Sequence, residues 1–288
     1  MGVDFLVLWP YDEGGCGCER CWPWGSRGFP DISREVFALA RRTWPKVRCV
    51  LSTWTFDTPE SGEWEGLSRL LEKEGGWVDY IMADSHEDFP RYPLERGSPG
   101  GLPLLNFPEV TMWGMYPWGG LGANPLPSRL ERLWRQVRGR IDGGFVYTEG
   151  IHDDINKVIL LRHYWDPGTT ALDTVREYAS YEFSEQAAPQ VVRAVTILEA
   201  NHSRPATDAE SEEALRLLEA AESATLHGGS SWRRRILILR ALLDREHYKG
   251  EGSEKRSQAL RELVRIYHAQ EASGCVRPPL EELGSEAG

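Results

Sequence analysis

Asp4-Phe5-Leu6-Val7-Leu8-Trp9 is an uninterrupted apolar run of strand length once Asp4 is passed. A strand buried inside a parallel sheet reads this way, because neither of its faces meets solvent. The chain around it extends the pattern. A Gly-, Cys- and Pro-rich loop from Pro10 to Pro30 leads to a helix over Ile32–Trp44, with Asp31 placed to cap it and Pro45 just beyond. Arg48–Trp54 reads as a second strand, and a helix over Leu67–Glu74 ends at Gly75-Gly76. Trp77–Ala83 is a third strand, and Leu102–Asn106 a fourth, with Pro103 near its start. Pro127–Gly139 is helical, with Pro opening it and Gly closing it, and Gly144–Thr148 is a fifth strand. Strands alternating with helices in this manner mean βαβ units and a parallel sheet.

Beyond Gly150 the period changes. Asp154–Trp165, Thr170–Phe183, Gln186–Asn201, Asp208–Leu226, Ser231–His247 and Ser253–Gln270 all carry helical spacing. Ile236, Leu237, Leu239, Leu242 and Leu243 make one such stripe. The expected organisation is an α/β part over 1–165, a helical domain over 166–276, and a Pro-, Glu- and Gly-rich tail over 277–288.

Composition narrows the function. The chain has 288 residues with 44 Asp+Glu against 33 Lys+Arg, a net charge of −11. That balance argues against a nucleic-acid partner, which needs clustered Lys and Arg. At 41% hydrophobic and 27% charged, the chain is neither a collagen nor a disordered acidic tail. No apolar run reaches the roughly 18 residues of a membrane span. No signal peptide is visible at Met1, since the chain enters its first strand without a basic region or a cleavage site. The skew is in tryptophan: 11 of the 12 lie in residues 1–165, with only Trp232 beyond.

Parallel α/β sheets bind ligands at the carboxyl ends of their strands, so those ends are the place to look. Tyr11-Asp12-Glu13 follows the first strand, Asp57 the second, Asp84-Ser85-His86 the third. Glu109 and Trp113 follow the fourth, and Glu149 and His152-Asp153-Asp154 the fifth. Trp9, Tyr11, Trp54, Trp113 and Tyr147 accompany them. Acids mixed with indole and phenol rings suit a carbohydrate: sugar C–H faces stack on the rings, and glycoside hydrolysis needs two carboxyl groups. The plainer reading is that loop acids serve as turn and cap residues. No Gly-rich phosphate loop is present, because Gly14-Gly15 and Gly119-Gly120 lack the spacing and the Lys.

Cys16-Gly17-Cys18-Glu19-Arg20-Cys21 places three thiols within six residues, while Cys49 and Cys275 stand apart. No cofactor is expected, with a structural zinc on Cys16, Cys18 and Cys21 as the alternative, alongside a local disulfide or three free thiols. Cys49 reads as a small buried apolar residue of the second strand. A metal hydrolase using Asp84, His86, His152 and Asp153 as ligands is a further reading.

The segment Leu8-Trp9-Pro10-Tyr11-Asp12-Glu13-Gly14-Gly15-Cys16-Gly17-Cys18-Glu19-Arg20-Cys21 resembles one in large bacterial glycoside hydrolases, the (β/α)8-barrel enzymes related to family 20 hexosaminidases and α-glucuronidases. Gly143–Lys157 looks like their last barrel strand and its loop. Trp165-Asp166-Pro167 and Tyr178–Phe183 look like the helices that follow. In those proteins the cysteine-bearing segment follows the fourth strand and a helical domain follows the barrel. The resemblance therefore implies strands four to eight of a TIM-like barrel, a missing N-terminal barrel segment, and an α-helical C-terminal domain.

It also implies roles. Glu13 would protonate the leaving oxygen and Asp12 assist it, as in the hexosaminidase pair, although the surrounding Pro-Tyr-Asp-Glu-Gly-Gly departs from the usual pattern. By the α-glucuronidase analogy Asp84 and Glu109 would activate water, with Glu149 a further rim acid. Trp9, Tyr11, Trp54, His86, Trp113, Tyr147 and His152 would bind the sugar, and Arg91 and Arg96 could pair with a uronate. The expected function is acid/base hydrolysis of a glycosidic bond. The alternatives are a non-catalytic carbohydrate-binding protein and a helical interaction module over residues 200–288.

Overall fold

The apolar runs of the first third do become strands. In the computed structural model these are β1 (Phe5–Leu8), β2 (Arg48–Ser52), β3 (Tyr80–Ser85), β4 (Leu104–Thr111) and β5 (Gly143–Gly144), with helices α1 (Gly28–Thr43), α2 (Glu63–Lys73), α3 (Arg91–Arg96) and α4 (Pro127–Val137) between them. The structure describes residues 2–10, 15–57, 62–85, 88–111, 123–148, 153–203, 208–225, 231–247 and 253–267. Strand order follows chain order, β1-β2-β3-β4-β5, and all four pairings are parallel. Each strand therefore has its carboxyl end on the same edge.

The chain forms two compact units. The first takes in Met1–Glu109 and Arg135–Val146, the second Val110–Trp134 and Tyr147–Gly288. The short strand β6 (Tyr147–Thr148) pairs with β4, whose last two residues belong with it to the second unit.

Within the first unit, register and the two-residue side-chain period sort the sheet into two faces. Cys49, Leu51, Ile81, Ala83, Leu104 and Asn106 share one face and are all buried, as are Phe37 of α1 and Leu67 of α2. The opposite face carries Val7, Val50, Met82 and Leu105, packed with Trp9, Tyr80 and Phe107. That second face is only half covered, and Phe5 at its amino end is 39% exposed. There Arg48 lies 4.1 Å above the Phe5 ring and donates to the Tyr80 hydroxyl at 3.1 Å.

The elements differ from the sequence expectation in specific places. Asp31 is not a cap: α1 starts at Gly28, so Asp31 lies in its first turn, where its charge still suits the helix N-terminus. Pro30 fits the same turn because no backbone donor is needed there. The third strand starts three residues later than Trp77, and α3 was not foreseen. β4 runs through Pro108 to Thr111 rather than stopping at Asn106. The fifth run breaks into β5 and β6, since Phe145-Val146 between them make neither strand.

The second unit is helical after β6. α5 (Asp154–Trp165), α6 (Ala171–Glu182), α7 (Ala188–Ser203), α8 (Asp208–Ser223), α9 (Trp232–His247) and α10 (Glu254–Tyr267) pack each against the next in chain order. Their apolar stripes meet in Val191, Leu198, Leu215, Leu218, Leu239 and Leu263, all 1% exposed or less. Glu199 of α7 accepts the Ser128 and Arg129 N–H groups at 3.0 Å each, which satisfies two free donors in the first turn of α4. Among the described residues no helix is long and apolar enough to cross a membrane.

Candidate functional site

The carboxyl end of β2 is held by bonds outside the strand ladder. Thr53 donates its backbone N–H (2.9 Å) and its hydroxyl (3.2 Å) to the Met82 carbonyl, and Ser52 Oγ accepts the Trp54 N–H at 3.1 Å. The chain then turns at Thr55, where φ is 64°. A β-branched residue rarely adopts that left-handed conformation, which costs on the order of 1–3 kcal/mol. Beyond this turn Trp54 and Asp57 take different partners.

Trp54 joins a cluster. Its ring centroid is 5.1 Å from that of Trp9, and Trp9 meets Phe107 at 4.5 Å in an edge arrangement. Trp54 and Phe107 close the triangle at 6.2 Å with their planes at 85°. Such tilted and edge pairs are each worth about 0.5–1.5 kcal/mol beyond the area they bury. All three rings are half-buried, so the cluster is a shelf with a solvent side. It stands on Val50, Met82 and Leu105 of the half-covered sheet face.

Asp84 stands directly across from Phe107 in the β3–β4 register and is half-buried. Glu109 follows Phe107 by two residues, about 7 Å further along β4 on the same face. It is fully buried. On the opposite face Ser85 donates to Asn106 Oδ1 at 2.7 Å, a buried bond that ties β3 to β4 beneath the acids.

Asp57 accepts the indole N–H of Trp64 at 2.9 Å. Packing around its carboxyl group raises its pKa, against the lowering effect of that hydrogen bond, although the residue as a whole is exposed. Trp64 in turn stacks on Tyr92 at 5.5 Å and meets Phe56 edge-on at 5.5 Å.

Of the residues expected at the rim, Trp9, Trp54, Asp84 and Glu109 share one face of the first unit at its carboxyl edge. Tyr147 lies in β6 of the second unit and is half-buried. Tyr11, Asp12, Glu13, His86, Trp113, Glu149 and His152 lie outside the described residues. Asp153 is buried in the second unit, where its Oδ1 accepts from Asn156. Arg91 is occupied at the surface, donating to Glu95 one turn on at 2.9 Å. Cys49 is fully buried in β2, and burial raises its pKa. Sequence reasoning passed over Phe107. Alternation of Leu105, Phe107 and Glu109 would have found it, had the strand been followed through Pro108.

No family model and no curated protein matches the sequence. Among solved structures the chain is similar to a family GH115 4-O-methyl-α-glucuronidase described as having specificity for decorated arabinogalactans. The TM-score is 0.63 at 12% identity, over 94% of this chain and 42% of that one. At that identity the likeness is one of fold. The chain spans less than half the length of the protein it matches.

Proposed function

We propose that this chain is a carbohydrate-active protein of glycoside hydrolase type, with the sugar lying across the Trp9, Trp54 and Phe107 shelf. The observation that carries the reading is the shelf itself: three half-exposed rings at the carboxyl edge of a parallel sheet, abreast of Asp84. Ring faces take up the C–H surfaces of a pyranose, and the acids beside them serve its hydroxyls and its glycosidic bond. The fold likeness to an α-glucuronidase supports the same class and favours a glycan bearing a uronic acid.

In this proposal Glu13 gives its proton to the glycosidic oxygen as the bond to the anomeric carbon breaks, and Asp12 orients the substrate. Asp84 takes a proton from the water that attacks the anomeric carbon. Glu109, buried two residues beyond Phe107 on the same face, shares the activation of water with Asp84. Tyr11 and His86 complete the sugar contacts. The charge balances: one proton leaves the acid, one reaches the base, and water is added across the bond.

The test is binding and hydrolysis by the full chain with a panel of neutral and uronate-bearing oligosaccharides and aryl glycosides. Uronate-bearing glycans are expected to quench tryptophan fluorescence on binding. Glu13→Gln is expected to abolish hydrolysis while keeping binding, and Trp54→Ala to weaken binding about tenfold. Binding without turnover in the wild type supports the second reading, a non-catalytic carbohydrate-binding protein. Absence of binding to every glycan overturns both.

A further inference from the structure

The connection between β1 and α1 holds a cluster that the carbohydrate chemistry does not use. Cys16, Cys18 and Cys21 bring their sulfur atoms within 4.8 Å of one another. Cys16 and Cys18 are exposed and Cys21 is half-buried. The spacing is the product of a tight turn: the Cys18 carbonyl accepts the N–H groups of Cys21 (3.0 Å) and Trp22 (2.9 Å), which returns the third cysteine to the first two.

The base of the loop is fixed independently. Gly28, the first residue of α1, donates its N–H to the Cys21 carbonyl at 3.1 Å, and Arg27 donates to the Glu19 carbonyl at 2.8 Å. The Trp24 indole fills the loop. A Cβ at Gly15 would come within 2.2 Å of that ring, and one at Gly28 within 2.5 Å, so neither position admits a side chain. A loop packed this closely around one ring holds its three thiols in a set arrangement.

We propose that Cys16, Cys18 and Cys21 form a three-thiolate site for one thiophilic divalent cation of the zinc class, with the fourth position open to solvent or an external ligand. Zinc–thiolate bonds of about 2.3 Å put tetrahedral sulfurs about 3.8 Å apart, so the observed cluster needs only a small contraction. The donor set is soft, as zinc prefers over magnesium or calcium. Among the described residues no fourth Cys, His, Asp or Glu joins the cluster. A cation displaces the thiol protons on binding. The bound ion would fasten the β1–α1 connection to the start of α1 through Cys21.

The experiment is titration of the reduced, metal-free full chain with Co²⁺, read by thiolate-to-cobalt charge-transfer absorption, followed by Zn²⁺ competition. One equivalent of Co²⁺ is expected to develop the band and one equivalent of Zn²⁺ to remove it. Cys16→Ser, Cys18→Ser and Cys21→Ser are each expected to weaken binding by more than about tenfold. Cys49→Ala, in the sheet, leaves the titration unchanged. Absence of the band, its full retention in Cys18→Ser, or a disulfide within this loop in protein isolated without reductant overturns the proposal.

Discussion

The rings of Trp9 and Phe107 meet 4.5 Å apart with their planes at 65°, joining the residue that follows β1 to the middle of β4. β1 and β4 are not neighbours in the sheet, so this contact bridges over β2 and β3. Trp9→Ala removes two ring pairs together. It is expected to lower stability by about 2 kcal/mol, with Trp9→Phe recovering part of the loss. Denaturant midpoints compare the variants, and an unchanged midpoint for Trp9→Ala would show that the shelf adds nothing to the fold.

Asp57 gives the first unit a pH signature. Its folded pKa is raised, so the folded state holds the proton more tightly than the unfolded chain. Its contribution is complete below the ordinary Asp pKa and is lost as pH rises through the raised value. Asp57→Asn keeps an acceptor for the Trp64 indole and removes the titration. The variant is expected to gain on the wild type as pH rises from the ordinary Asp range toward neutrality. Parallel stability curves for the two proteins would contradict the shift.

Thr55 holds the turn that separates Trp54 from Asp57 at a positive φ. Thr55→Gly relieves the strain at the cost of extra freedom in the unfolded chain. The balance is expected to favour the variant by about 1 kcal/mol. Thermal or chemical unfolding decides it: a less stable glycine variant would mean that the threonine side chain outweighs its backbone.

In the metal-free protein, hydrogen bonds from the Cys21 and Arg20 N–H groups and the neighbouring thiols hold the Cys18 thiol down at about 7, while donation to Cys18 pushes Cys21 up to about 11. Cys18 is therefore the readier thiolate near neutral pH. Iodoacetamide is expected to label Cys18 first, with a rate that climbs through pH 7 rather than through the ordinary thiol value of about 8.5. Peptide mass spectrometry across pH 6–9 reads this, and equal labelling of the two cysteines would refute it.

Asn156 fastens the second unit. Its Oδ1 accepts the Leu126 N–H at 2.9 Å, and its Nδ2 donates to the Asn124 carbonyl at 2.8 Å and to Asp153 at 3.1 Å. The side chain is fully buried. Asn156→Ala takes its partner from one buried donor and two buried acceptors, with an expected loss of about 3 kcal/mol. Asn156→Asp keeps the acceptor but sets a buried carboxylate against the Asn124 carbonyl and Asp153, and is expected to cost at least as much. A loss under 1 kcal/mol would mean that water replaces the amide.

Much of this architecture was legible because burial forces simple patterns. Val50 and Leu51 had to be apolar on both faces, and Ile236, Leu239 and Leu243 had to recur at helical spacing. Where function or tight geometry intervened, the pattern failed. Pro108 and Glu109 look like loop residues yet continue β4, because a strand tolerates Pro where no ladder donor is required and a buried acid leaves no apolar trace. Asp31 looked like a cap only because Gly28 and Pro30 disguise the first turn of α1. The rim residues Trp9, Trp54, Asp84 and Glu109 were found by asking where parallel strands end. Asp57 was seen at a strand end, but its distinctive environment comes from Trp64 on a later helix, and spacing does not encode that.

The first unit is interrupted: its sheet is complete only when Arg135–Val146 returns after Val110–Trp134 has entered the second unit. Strands β2 to β5 each find a partner already synthesised, so the sheet can assemble in the order in which it leaves the ribosome. Of these the last to arrive is β5. Until it is delivered, β4 is left as an open edge, and Leu105 and Asn106 lack the partners they later find in Gly143 and Gly144. Between Thr111 and Gly143 the growing chain therefore presents β4 as one flank of the sheet, and a strand of two glycines then takes over that position.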